Sequence, residues 1–167
     1  MKKLIFSKDN SIEPRGAIGK QKAGIIFWQE SAFSYCSKRK LKSLVKLIDQ
    51  KYSPTKIEKG LQWYFIEFDR NHEKILYLTI KKKLFRSLLY GESHTAYVDA
   101  DFHIFVLELI NYLSTELGCK IFVDDATGYL EHRSVENLKE YIDNFEVEIA
   151  ESLGITREDN IQKQKSN

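Results

Sequence analysis

Residues Leu61–Ile80 read LQWYFIEF, DRNHEK, ILYLTI. Two runs rich in aromatic and β-branched residues, Leu61–Phe68 and Ile75–Ile80, flank the polar segment Asp69–Lys74, which is short enough to be a hairpin loop. Consecutive strands joined that closely pair antiparallel, because a parallel return needs a much longer crossover. An antiparallel sheet is therefore the first expectation.

Outward from this hairpin, Gly24–Cys36 (GIIFWQESAFSYC) reads as one or two more strands, and Leu4-Ile5-Phe6 as a short one. Ser7–Ala23 between them, with Pro14, Gly16 and Gly19, reads as a long loop or flexible hairpin. Ser37–Gln50 places Leu41, Leu44, Val45 and Ile48 at i, i+3, i+4 and i+7, one stripe of a helix that Tyr52-Ser53-Pro54 ends. The strongest helix runs from about Asp101 to Leu117, carrying Phe102, Phe105, Val106, Leu109, Ile110, Leu113 and Leu117. Asp99 or Asp101 is its natural N-cap and Gly118 its natural C′ residue. Cys119–Val123 reads as a short buried strand, Asp124–Gly128 as a turn, and Tyr129-Leu130 as pairing back. Ser134 caps a last helix with Val135, Leu138, Tyr141, Ile142, Phe145 and Ile149 inward. Lys81–Tyr90 has Leu84, Phe85, Leu88 and Leu89 at helical spacing, so it too is expected to be a helix, ended by Gly91.

No repeat and no Pro/Gly/Ser-rich linker divides the chain. The expectation is a single α+β domain over residues 1–155, with mixed α/β as the alternative. Its sheet is largely antiparallel and backed by two or three helices, and residues 156–167 form a polar tail. At 167 residues a chain of this size buries about 68–70% of its unfolded surface, enough for a core without disulfides or metals. No run approaches the roughly 18–20 apolar residues of a membrane span. Met1–Phe6 is interrupted at once by Ser7-Lys8-Asp9-Asn10, unlike a signal peptide. Cys36 and Cys119 do not make a disulfide framework. The expected setting is cytoplasmic, with no membrane partner.

The net charge of +2 conceals an asymmetry: through Gly91 there are 20 basic and 8 acidic residues, and from Glu92 onward 6 basic and 16 acidic. Such a distribution points to a charged macromolecular partner. Catalytic motifs are not indicated. Arg15-Gly16-Ala17-Ile18-Gly19-Lys20-Gln21 has two residues between its glycines and Gln21 after Lys20, where a phosphate loop needs four residues and a hydroxyl. His94, Asp99, Asp101 and His103 fall close enough to suggest a metal-dependent enzyme, but Asp99-Ala100-Asp101 also sits where a helix N-cap belongs. Cys36, followed by Lys38-Arg39-Lys40, is the better of two weak nucleophile candidates. There is no Gly-x-Ser-x-Gly elbow. No cofactor and no metal are expected.

Two binding surfaces remain. Lys38, Arg39, Lys40, Lys42 and Lys46 on one helix, with Lys81, Lys82, Lys83 and Arg86 and the aromatics Trp63, Tyr64 and Tyr77, suit nucleic acid. Asp124, Asp125, Glu131, Glu136 and Glu140 beside Tyr129 suit a basic protein. The stretch Asn111–Ile142 joins a helix, CKIFVDDATGYLE (Cys119–Glu131) and a helix begun by Ser134. It resembles segments of small cytoplasmic immunity proteins of bacterial toxin systems, including contact-dependent growth inhibition, over about a fifth of the chain. That resemblance implies one non-catalytic domain that neutralises a cognate protein toxin by occluding its active site or an adjacent surface. The expected partner is such a toxin, a basic nuclease domain being one form of it. The expected partner-binding residues are Asp124, Asp125, Tyr129, Glu131, Glu136 and Glu140. A nucleic-acid-binding regulator using residues 38–46 ranks second.

Overall fold

Two capped helices set the frame. Ser37 Oγ accepts the backbone N–H of Lys40 at 3.1 Å and starts α1 (Lys38–Tyr52), which ends at Ser53 in the left-handed region with φ 48°. Asp99 Oδ1 accepts the N–H of Phe102 at 2.6 Å and starts α2 (Ala100–Leu117), which Gly118 ends with φ 63°. The computed structural model describes residues 13–14, 24–29, 36–83 and 86–152. The remaining elements are β1 (Glu13–Pro14), β2 (Ile25–Gln29), β3 (Lys56–Lys59), β4 (Trp63–Glu67), β5 (Ile75–Lys83), β6 (Arg86–Ser93), β7 (Ile121–Asp125), α3 (Tyr129–His132) and α4 (Val135–Ser152). The expected strand at Leu4–Phe6, the Arg15–Gln21 loop, most of Ser7–Ala23 and the tail 156–167 lie outside the described residues.

The strands form one sheet in the order β1-β7-β2-β6-β5-β4-β3, antiparallel throughout except at β1–β7. The fold is α+β. One face of the sheet carries Ile25 and Phe27 of β2, Ile121 and Val123 of β7, Leu89 of β6, Leu76, Leu78 and Ile80 of β5, and Ile66 of β4. These residues form one core with Leu41, Leu44, Val45 and Ile48 of α1 and Phe102, Val106, Leu109, Ile110 and Leu113 of α2. Each such side chain, fully buried, contributes about 1.5–3 kcal/mol of gross hydrophobic stabilisation.

The opposite face is aromatic. Register places Trp63, Thr79, Tyr90, Trp28 and Phe122 in one row across β4, β5, β6, β2 and β7. The next row holds Glu58, Phe65, Tyr77, Glu92, Ile26 and Asp124. At the far edge, β3 exposes Lys56 and Lys59, charges that discourage pairing with another chain.

Three expectations are corrected. Residues 81–83 and 86–90 are not helical but the end of β5 and most of β6, because β6 is an interior strand with partners on both sides; residues 84–85 lie outside the described residues. Gly91 ends nothing; it lies mid-strand opposite Phe27, whose ring fills the space a Cβ would need. Tyr129-Leu130 does not pair back: these residues open the one-turn helix α3 after Gly128, at φ 71°. Asp124 and Asp125 close β7 rather than standing in the turn. β3 has no counterpart among the expected elements.

Candidate functional site

α2 and α4 meet in a cleft of about 210 Å³, lined by Val98, Asp99, Ala100 and Asp101 on one wall and Lys139, Ile142, Asp143 and Glu146 on the other. The first wall exists because Asp99 caps α2. Its carboxylate is also 2.8 Å from Lys74 Nζ. Partial burial pushes the Asp99 carboxyl up, but hydrogen bonding from Lys74 and from the Phe102 N–H outweighs this and holds it below the ordinary carboxylate range. The second wall begins where Ser134 Oγ accepts the N–H of Asn137 at 3.1 Å, setting the start of α4. Spacing then places Lys139, Ile142, Asp143 and Glu146 on one side of that helix. Tyr97, one residue before the cleft, is 51% exposed and packs edge-on against Phe145 of α4, ring centroids 5.1 Å apart. Apolar Val98, Ala100 and Ile142 amid four carboxylates and one lysine suit a cationic group with an aliphatic stem.

Behind the cleft lies a buried polar network. His103, 0% exposed, has Nδ1 2.7 Å from Thr95 Oγ1 and Nε2 3.3 Å from Asp125 Oδ1. A carboxylate only accepts, so Nε2 donates to Asp125, while Nδ1 pairs with the Thr95 hydroxyl. Asp125 also accepts the Thr127 N–H at 2.9 Å, the Thr127 hydroxyl at 2.7 Å and the Leu130 N–H at 2.9 Å. Burial pushes its carboxyl up, but the hydrogen bond and charge of His103, with the Leu130 N–H and the Thr127 hydroxyl, hold it below the usual range. Threonine, histidine and carboxylate stand in the order of a proton relay, yet Thr95 and His103 are sealed from solvent. They fasten the Thr95–Tyr97 turn and α2 to the end of β7.

Of the expected partner-binding residues, three are withdrawn from the surface. Asp124 is 1% exposed and lies on the aromatic sheet face. Asp125 is held in the network, and Tyr129 is buried with its ring edge-on to His103, centroids 6.0 Å apart. Glu131, Glu136 and Glu140 are exposed. Glu136, Glu140 and Asp143 follow one another at i, i+4 and i+7, so the acidic stripe of α4 runs into the cleft. His94, Asp99, Asp101 and His103 do not converge: His103 faces Thr95 and Asp125, while Asp99 serves α2 and Lys74. No group of three or more His, Cys, Asp and Glu among the described residues is placed to hold a metal ion. Cys36 is buried, and burial pushes its thiol up to about 11 against the opposing charge of Lys40, the reverse of an activated nucleophile.

Thr95, Tyr97, Thr127 and Lys139 were not legible as site residues, since nothing in their spacing marks them. No helix among the described residues is long and apolar enough to cross a membrane. No family model, no curated protein and no solved structure matches the chain.

Proposed function

We propose that this protein is a cytoplasmic, non-catalytic binding protein of the immunity type, from a bacterial toxin system such as contact-dependent growth inhibition. It neutralises a cognate toxin domain with a basic surface by covering that domain's active site or a neighbouring face. The observation that carries the reading is the acidic stripe Glu136–Glu140–Asp143 leading into a cleft with carboxylates on both walls and the half-exposed Tyr97 beside it. Such a surface attracts a cationic partner over distance, and the cleft receives a lysine or arginine from it. The aromatic ring supplies apolar contact area at small entropic cost.

The test is co-expression with the toxin domain encoded beside this chain, followed by stopped-flow association of the purified pair. Cells carrying both are expected to survive. Glu136→Lys with Glu140→Lys, both solvent-facing, should slow association about tenfold or more at low salt and flatten its salt dependence. Cell death despite co-expression, or unaltered association kinetics in the double variant, overturns the reading.

A further inference from the structure

Two basic segments distant in sequence meet at one end of the sheet. The backbone N–H of Cys36, just before α1, donates to Ser87 O of β6 at 2.7 Å, and Ser87 pairs with Lys82 of β5. This joins the first turn of α1 (Lys38, Arg39, Lys40) to the paired ends of β5 and β6, Lys81–Lys83 and Arg86–Leu88. Lys40 Nζ donates to Leu117 O at 3.2 Å, so the C-terminus of α2 lies there as well. Lys38, Arg39, Lys42 and Lys46 are exposed, and the first turn of α1 has no acidic residue. The β3–β4 turn reaches the same end, because Gln62 O accepts Ile80 N at 3.0 Å and Thr79 Oγ1 at 3.0 Å. It presents Leu61 at 88% exposure and Trp63 at 36%.

The aromatic row begins at this turn. Trp63 lies against Tyr77 with ring centroids 6.3 Å apart, and Trp28 against Phe122 at 6.1 Å. Lys81, one pleat beyond Thr79 and so about 7 Å along the strand, is exposed, with its Nζ 3.2 Å from the Tyr90 ring centroid. The carboxylates of this face lie in the next row and, at Glu67, one row further, on the side away from the basic end. Glu58 is paired with Lys56 at 2.6 Å, and Glu92 accepts the Tyr90 hydroxyl at 3.2 Å. Along this face Lys81 stands on one side of the Trp63–Tyr90 row and the carboxylates on the other, while the α1 cations lie across the sheet end on the opposite face.

We infer that this end of the molecule is a binding surface for single-stranded nucleic acid. The bound strand crosses the end of the sheet: phosphates sit on Lys81 on the aromatic face and on Lys38, Arg39 and Lys42 of α1 on the other. The acidic row keeps the backbone at that end, and a base stacks on Trp63. A duplex hides its base faces and offers only phosphates, so the rings select an unpaired strand. This inference rests on observations separate from the acidic cleft.

The experiment is fluorescence anisotropy of a fluorescein-labelled 12-mer of deoxythymidine, titrated with the full chain from about 20 to 200 mM salt, alongside a duplex of equal length. Four phosphate contacts predict a slope of log affinity on log salt of about −3. The duplex is expected to bind at least tenfold more weakly. Lys42→Glu with Lys81→Glu should lower affinity tenfold or more. Trp63→Leu should lower it about fivefold or more, with recovery in Trp63→Tyr, each with circular dichroism like the parent. No anisotropy change at 20 mM salt, equal binding of duplex and single strand, or parental affinity in folded Trp63→Leu overturns the inference. These variants leave Glu136 and Glu140 intact, so oligonucleotide binding and toxin neutralisation fail separately.

Discussion

At Asp125 one buried carboxylate accepts three hydrogen bonds, two from Thr127 and one from Leu130, while facing His103. An amide there loses an acceptor and the charge, so Asp125→Asn is expected to destabilise the fold by about 2–4 kcal/mol in urea titration. The sign of the pH effect follows from its folded acidity lying below the ordinary value. The stabilisation is complete above the unfolded carboxylate pKa of about 4 and is lost as pH falls through the lower folded value. Thermal melts from pH 6 to pH 2.5 should show the parent losing more than Asp125→Asn; parallel curves count against the network. The turn chemistry at this point was legible, since Asp125 Oδ1 accepts Thr127 N two residues on. What the sequence did not disclose is that His103 occupies the inner side, so Asp125, which resembles an exposed turn residue, faces inward, while Asp124 points to the other face of the sheet. Of the exposed half of the candidate surface, Glu136 and Glu140 were legible because helix periodicity already placed Leu138 and Ile142 on the other side, whereas Glu131 belongs to α3, whose opening residues read as pairing back.

Among the elements, α1 shows how local rules and charge compete. Its stripe and its cap are favourable, yet Lys38, Arg39 and Lys40 crowd the positive end of the helix dipole. Lys38→Glu is expected to raise stability by about 0.3–1 kcal/mol, and Ser37→Ala to lower it by about 1 kcal/mol, both read by chemical denaturation. A neutral effect of Lys38→Glu at low salt would mean that the first turn is already compensated. Helices α1, α2 and α4 were readable because apolar spacing and capping residues agree in each. Residues 81–90 were not, since Leu84, Phe85, Leu88 and Leu89 fit a helix locally while β2 and β5 compete for the same backbone from either side. Long-range pairing prevailed. β3 escaped notice because its four residues are mostly charged and lie at an edge.

For the molecule as a whole, the basic end lies where α2 finishes and the acidic cleft where α2 begins, so a helix of 18 residues, about 27 Å long, separates them. The net charge of +2 thus misstates what a partner meets. At neutral pH and low salt the protein should be retained on both cation- and anion-exchange resins. Glu136→Lys with Glu140→Lys should elute early from the anion exchanger only; retention of the parent on the cation resin alone would show the charges to be intermixed. Sheet order has another outcome. β7, among the last strands made, is inserted between β1 and β2, among the first. While the ribosome is still translating the middle of the gene, β2 has no β7 to pair with along one of its edges. The nascent polypeptide must therefore wait, with that strand open to chaperones, until residue 125 has left the exit tunnel.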